Sequence, residues 1–215
     1  MAFTRNWPFF AGVVCYTVAA YISGGVTDLL NVDFPNNGVT ATNYAGVWST
    51  AKARFDKPTH YEYTSCDDVQ DAYETEENKG ETVCPYHTGA YCRGIQSASG
   101  ISITFVTLLL LHEIWVLGAG GDEAITMNSQ YLLRAVSFLM SMIFLLFLIS
   151  VMAAIKLHDH CTTDGNHWEY GSAFIVLCVF FGLGTVLFFG GAMNRQWGDN
   201  SGVWPATSFT PLSQM

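Results

Sequence analysis

The chain has 215 residues, half of them apolar and only 13% charged, about half the charged share of an ordinary soluble domain. A mean hydropathy of +0.26, together with 15 Phe, 10 Tyr and 6 Trp, excludes a disordered chain and argues against a compact water-soluble enzyme. Nine basic residues against 18 acidic ones give a net charge of -9, so the basic footprint that nucleic-acid binding needs is missing.

Residues 1–7, with Arg5, read as a short cytoplasmic start, and Pro8 to Leu29 as a first membrane span. A cleaved signal peptide, with Arg5 ahead of the apolar run and Ala19 and Ala20 near its end, is the competing reading of this stretch; the retained span is expected. Leu30 to Ala98 form a large loop. Its aromatic and β-branched runs, Tyr44–Trp48, Tyr61–Tyr63 and Val83–Tyr91, are separated by Gly, Pro, Asn and Asp, which predicts short strands. Cys66–Thr82 is dominated by Asp, Glu, Gln and Ala and predicts either a short polar helix or a mobile hairpin tip. From Asp56 to Glu81 nine acidic and two basic residues leave a net of -7, a surface that attracts cations and most simply keeps the head solvated. The run Asp67–Glu77 lacks the central Gly of an EF-hand loop, so no calcium site is assigned. No Asn-x-Ser/Thr sequon occurs, and N-glycan shielding is not expected.

The second span covers Ser99 to Ala119 and carries His112 and Glu113. An intramembrane carboxylate needs a reason: either a proton relay or ion pathway, or a partner on a neighbouring helix or at the interface. Gly120–Tyr131 form a short inner turn, and Leu132–Ile155 the third span, with Arg134 at its inner start. Asp28 and Arg134, each near a span end, are expected to reach headgroups by snorkelling. Ala135–Ile155 contain neither charge nor Pro, a length at which a buried soluble helix competes poorly. The loop Lys156–Gly171 holds His158, Asp159, His160, Cys161 and His167, tempting zinc ligands whose spacing in a short loop converges poorly on one ion. The fourth span runs from Ser172 to Met193. Ala20 and Gly24 in the first span, and Gly182, Gly184, Gly190 and Gly191 in the fourth, mark close helix packing. Phe174, Phe180, Phe181, Phe188 and Phe189 suggest a partner-facing surface. The tail, Asn194–Met215, with Trp197, Trp204, Pro205 and Pro211, reads as a docking segment or an interfacial anchor.

Four spans put both termini on one side and the large first loop and the short Lys156–Gly171 loop together on the other. Counting basic residues near the span ends, Arg5, Arg134 and Arg195 on the terminal side oppose Arg93 and Lys156 on the loop side, a slight excess that leaves orientation open. The cysteines discriminate better. Cys15 and Cys178 lie in spans, whereas Cys66, Cys84, Cys92 and Cys161 share the loop side, an even set suited to disulfides in an oxidising compartment. The loops are therefore expected outside, with both termini cytoplasmic at the plasma membrane. All three possible connectivities tie Cys161 to the first loop, and its partner is not readable from the sequence.

Gly46-Val47-Trp48 in a large first outer loop, the later Cys84 and Cys92, and Arg93 leading into the second span together resemble the claudin-like tetraspan superfamily. That group takes in claudins, peripheral myelin protein relatives and calcium-channel gamma-type auxiliary subunits. Val47 stands where those relatives carry Leu, and Cys66 follows Trp48 by eighteen residues instead of three. The resemblance implies a four-helix transmembrane bundle capped by a small extracellular antiparallel β-sheet built from the first and second outer loops. It gives Trp48 an anchoring role, with its apolar body inward and its N–H toward a polar partner. Arg93 would meet phosphates or cap loop carbonyls, or serve as an ordinary interfacial Arg.

No nucleophile elbow, Walker loop, zinc-protease helix or dinucleotide fingerprint occurs, so no catalytic residue, cofactor or metal site is assigned. The leading expectation is a non-enzymatic tetraspan whose disulfide-pinned head binds another membrane protein, in cis as an auxiliary subunit or in trans as an adhesive contact. The alternatives are a small cation channel or proton-coupled transporter using Glu113 and His112, and an accessory subunit of a large organelle membrane complex.

Overall fold

The computed structural model describes residues 2–26, 28–36, 39–54, 57–78, 83–118, 128–158, 161–163 and 166–198. Helix α1 (Ala2–Gly25) leads into four strands, β1 (Leu30–Asn36), β2 (Val39–Ala45), β3 (Ser49–Arg54) and β4 (Lys57–Tyr63). Helices α2 (Cys66–Asn78), α3 (Gly89–Gly118) and α4 (Asn128–Leu157) follow, and then three two-residue strands, β5 (Thr162–Thr163), β6 (Asn166–His167) and β7 (Glu169–Tyr170). Helix α5 (Ser172–Gly198) comes last.

Four stretches, Pro8–Gly25, Gly89–Gly118, Leu132–Leu157 and Ser172–Gly190, are long and apolar enough to cross a membrane. This pattern is that of a multi-pass membrane protein. At 1.5 Å per residue α3 is about 45 Å long, well beyond a hydrocarbon core of about 30 Å, so its first turns project past the span expected from Ser99. The segment Val83–Tyr91, expected as a strand, is instead a turn followed by the start of α3. Thr88 decides this locally. Its side-chain oxygen accepts the Tyr91 N–H at 3.4 Å and its carbonyl accepts the Cys92 N–H at 3.0 Å, a cap that starts a helix where aromatic content alone favours a strand. Of the two readings for the polar stretch after Tyr63, the helix is the one adopted. Ser65 caps α2 by accepting the Asp68 N–H at 3.3 Å, and Asp67 and Asp68 in the first turn complement the helix dipole.

The large sheet is antiparallel, ordered β4-β3-β2-β1-β7. Register runs from Leu30 opposite Ala45 to Asn36 opposite Val39 in the first pair, and β3 pairs β4 with an irregularity at Lys52/Ala53. Pro58 sits opposite Ala53 in β4, an edge strand, the kind of strand to which a Pro within a sheet is largely confined. At the other edge Leu30 faces Tyr170 and Asn31 faces Glu169, so the short second loop supplies a strand to the sheet of the first.

Two apolar clusters hold the molecule together. One joins the sheet to the helices through Leu29, Leu30, Val47, Leu148, Phe174 and Leu177. The other lies between the helices around Val13, Tyr16, Val106, Leu109, Phe138 and Leu145. Helix α1 packs most extensively on α5, α3 on α4, and α1 on α3. At the α1–α5 crossing a Cβ on Gly184 would lie 2.7 Å from the Tyr16 ring, and one on Gly12 2.8 Å from the Phe188 backbone nitrogen. Gly24 abuts the Ile103 side chain and Ala20 is fully buried. The expectation for the other fourth-span glycines does not hold at two positions, because a Cβ on Gly182 or Gly190 meets nothing within 4 Å; Gly191 lies outside the residues whose packing is described. The Phe-rich surface also turns inward instead of outward. Phe174 and Phe188 are buried, Phe180 and Phe181 pack against the inter-helix cluster, and of the five only Phe189 is exposed. Phe188 stacks on Phe138 with ring centroids 3.5 Å apart, which ties α5 to α4.

Candidate functional site

Two constellations gather the chemistry-bearing residues: the junction that seats the sheet on the helices, and a buried ion pair near the opposite end of α3. At the junction, the turn Gly46–Trp48 between β2 and β3 is tied to α3. Val47 is buried, and its carbonyl accepts from Gln96 Nε2 at 3.3 Å, while the same amide donates to the Thr64 carbonyl at 3.0 Å. The Trp48 indole N–H points to Ser99 Oγ at 3.4 Å, and Ser99 in turn meets Ser23 Oγ at 3.0 Å. Ser23 closes the chain by donating to the Ala20 carbonyl at 2.6 Å. A polar relay thus runs from the sheet through α3 into α1 at positions that apolar periodicity alone leaves unmarked. Gln96 and Ser99 escaped the sequence reading. The one available signal was a cluster of polar residues, Gln96, Ser97 and Ser99, just ahead of an apolar run.

The four loop cysteines pair as Cys66–Cys92 and Cys84–Cys161, with Cα separations of 5.5 and 4.5 Å, both inside the usual disulfide range. The first joins α2 to α3 one turn into α3. The second joins the start of the α3 approach to the second loop. Cys15 and Cys178 are free thiols. Arg93 donates through Nε to the Gly89 carbonyl at 3.3 Å and reaches Asp67 at 3.5 Å with 62% of its side chain exposed, an ion pair that water screens and that stabilises little by itself.

Asp28 is not a snorkelling carboxylate. Its Oδ2 accepts the Ser172 N–H at 3.0 Å and the Ser172 hydroxyl at 2.6 Å, and its carbonyl accepts the Ala173 N–H. It therefore caps α5 from the far end of α1, placing negative charge at a helix N-terminus. Gly171 packs against the Asp28 backbone so closely that any side chain there would collide with it. Nearby, burial lowers the pKa of the His87 imidazole below its usual value, and the ring meets Trp168 edge-on at 6.4 Å. His158 packs edge-on against Tyr86 at 5.8 Å. Cys161 is spent in its disulfide, whereas Asp159 and His160 lie outside the described residues, as do the side chain of His167 and everything after Gly198.

At the other constellation, Glu113 takes the partner on a neighbouring helix that was one of its two readings, and the expected snorkelling of Arg134 is replaced by a fork with it. Arg134 Nε donates to Glu113 Oε1 at 2.6 Å and its Nη2 to Oε2 at 2.7 Å, with both residues buried. The guanidinium also lies over the Phe9 ring at 4.6 Å, so one side chain of α4 engages both α3 and α1. His112 Nδ1 sits 3.2 Å from Glu113 Oε1, while its Nε2 is buried and meets no hydrogen-bond partner among the described residues. A bidentate pair satisfies both oxygens of the carboxylate and is the geometry in which a guanidinium binds most strongly. Compared with known proteins, the chain matches no family model and no curated sequence.

Proposed function

We propose that this chain is a claudin-like tetraspan that works without catalysis, presenting its disulfide-tied sheet outside the plasma membrane as a binding head for another membrane protein. Both termini are cytoplasmic in this reading. The observation that carries it is the joining of the large first loop and the short second loop into one head, by the β1–β7 pairing and by Cys84–Cys161. A head held at both edges and seated on α3 through Gln96, Trp48 and Ser99 is a pre-organised surface, which lowers the entropic cost of binding a partner. The acidic helix α2 sets the electrostatic preference of that surface. The alternative of a cation channel or proton-coupled transporter is disfavoured by the Glu113–Arg134 fork, because a neutralised carboxylate attracts a passing cation weakly.

The test is isolation of the full chain from its native membrane in mild detergent after surface crosslinking. The expected result is co-purification of a larger membrane protein, with crosslinks mapping to α2 and the sheet for a cis partner, or cell aggregation on surface expression for a trans partner. A chain that purifies alone, fails to aggregate cells, and by itself supports a liposome conductance lost in Glu113→Gln would overturn the proposal in favour of transport.

A further inference from the structure

A cleft of about 560 Å³ opens on the outer flank of α3 and is lined by Trp48, Arg93, Ser97, Gly100, Thr104 and Phe105, among others. That volume lies within the range of about 300–1,000 Å³ typical of small-molecule sites. Its long axis follows the helix. From Arg93 to Phe105 the wall descends twelve residues, about 18 Å at the helical rise. Chemistry changes along that descent from a guanidinium, an indole and a hydroxyl at the top to Gly100, Ile101 and Phe105 below. Gly100 makes the cleft possible, since a Cβ there would meet nothing within 4 Å. The open space lies outside the molecule's own packing.

On the tetraspan reading, the upper end of this cleft lies at headgroup level and the lower end in the outer half of the hydrocarbon. We infer that it is a binding groove for one zwitterionic glycerophospholipid of the surrounding bilayer. The rim carries the argument through its charges. Arg93 uses Nε on Gly89 and one Nη on Asp67, and a guanidinium has five N–H donors in all, so donors remain for a phosphate. Beside it Asp67, with 84% of its side chain exposed, offers a carboxylate to the ammonium of the same headgroup, and the Trp48 ring offers that cation an aromatic face. A paired plus and minus at the rim matches a headgroup that is itself paired. A purely anionic lipid would meet the acidic face of α2, with Asp67, Asp68 and Asp71 in its first turns. An uncharged diacylglycerol would leave the guanidinium without a phosphate. An acyl chain lies naturally against Ile101 and Phe105, where van der Waals contact, and not removal from water, holds it.

The experiment is native mass spectrometry of the full chain released from nanodiscs containing equal parts of phosphatidylcholine, phosphatidylglycerol and diacylglycerol. The expected wild-type result is one retained phosphatidylcholine per chain, at least tenfold over either competitor. Gly100→Leu puts a side chain into the groove from a position where its Cβ meets nothing within 4 Å, and should reduce retention at least tenfold. Thr104→Leu, on the same wall, gives a second route to the same loss. Gly182→Leu, at another glycine where an added Cβ meets nothing within 4 Å, should leave retention unchanged and so controls for a generic change of lipid-facing surface. Arg93→Gln should keep a bound lipid but erase the preference over diacylglycerol. Both disulfides intact and a single monodisperse elution peak establish that each variant is folded. Retention of all three lipids alike, or unchanged retention in both filled variants, would overturn the inference. It would also be overturned by a wild-type chain that holds no lipid while Gly100→Leu abolishes partner co-purification, which would assign the groove to a partner helix. Loss of partner binding with lipid retention intact would instead count against the proposed function alone.

Discussion

Glu113 and Arg134 show what one side chain decides inside an apolar helix pair. Each alone is a charge that the hydrocarbon or the packed interior penalises by several kcal/mol. Together they form a closed fork, with the Arg134 plane also covering Phe9. Removing one partner strands the other, so Arg134→Met should destabilise the fold by about 3–5 kcal/mol. Replacing both, Glu113→Leu with Arg134→Met, removes the desolvation cost along with the attraction, and should recover most of that loss. Thermal or detergent-induced unfolding of the purified variants reads this directly; a double variant no more stable than Arg134→Met would show that the pair is not the unit. Both residues were visible in the sequence as charges in apolar runs. Their pairing was not, because twenty-one positions separate them and it arises from the antiparallel alignment of α3 with α4, which neither helical pattern encodes by itself. Asp28 was hidden for the same reason, since its partner Ser172 begins a helix 144 residues further on.

At the level of elements, the four helices were legible from length and hydropathy alone. What an isolated apolar run does not state is which face meets which neighbour. Spacing of small residues marked Gly24 and Gly184 correctly as contact positions, yet gave equal weight to Gly182 and Gly190, which face open space. It overlooked Gly12, which has Pro8 and Tyr16 four positions away on either side and so falls outside any small-residue spacing. Gly12 sits against the backbone of α5, and backbone cannot rotate out of the way. Gly12→Ala must therefore push α1 from α5 and should cost about 1–3 kcal/mol, the usual penalty for overpacking. Gly182→Ala gains helix propensity with nothing to collide with, and should be neutral or stabilising by up to about 1 kcal/mol. Parallel unfolding measurements separate the two, and equal midpoints for both variants would refute the close crossing. The misread Val83–Tyr91 segment teaches the complementary lesson: a single cap at Thr88 outweighed a run of strand-favouring residues.

On the scale of the whole molecule, the sheet and the helices become one body through a few long-range ties, and the question is which tie governs the second loop. Strand β7 contributes only two residue pairs to β1, too little to hold a loop by itself, since short two-stranded pairings are marginal in water. Cys84–Cys161 closes 77 residues of sequence and Cys66–Cys92 closes 26. Chain entropy alone makes the first more stabilising by about 1 kcal/mol. Helices that stay inserted in the unfolded state shorten the effective loop, so that figure is an upper bound. The mechanical consequence is larger than the entropic one. Without Cys84–Cys161 the second loop keeps, among the described residues, no covalent tie to the first loop and relies on its two strand pairs, the Gly171 N–H to Leu29 bond, the Asp28 cap and the ring contacts of Trp168 and His158, whereas without Cys66–Cys92 helix α2 is still held by Gln70, whose Oε1 accepts the Gly89 N–H at 2.9 Å. Cys84→Ser with Cys161→Ser should therefore raise the proteolysis rate of the second loop at least tenfold and leave cleavage near α2 nearly unchanged. Cys66→Ser with Cys92→Ser should do the reverse, with a smaller effect. Limited proteolysis of the detergent-purified chain resolves the two patterns by fragment mass, and equal protection of the second loop in all three proteins would mean that packing of Phe174 and Leu30, and not the covalent bond, holds the head in one piece.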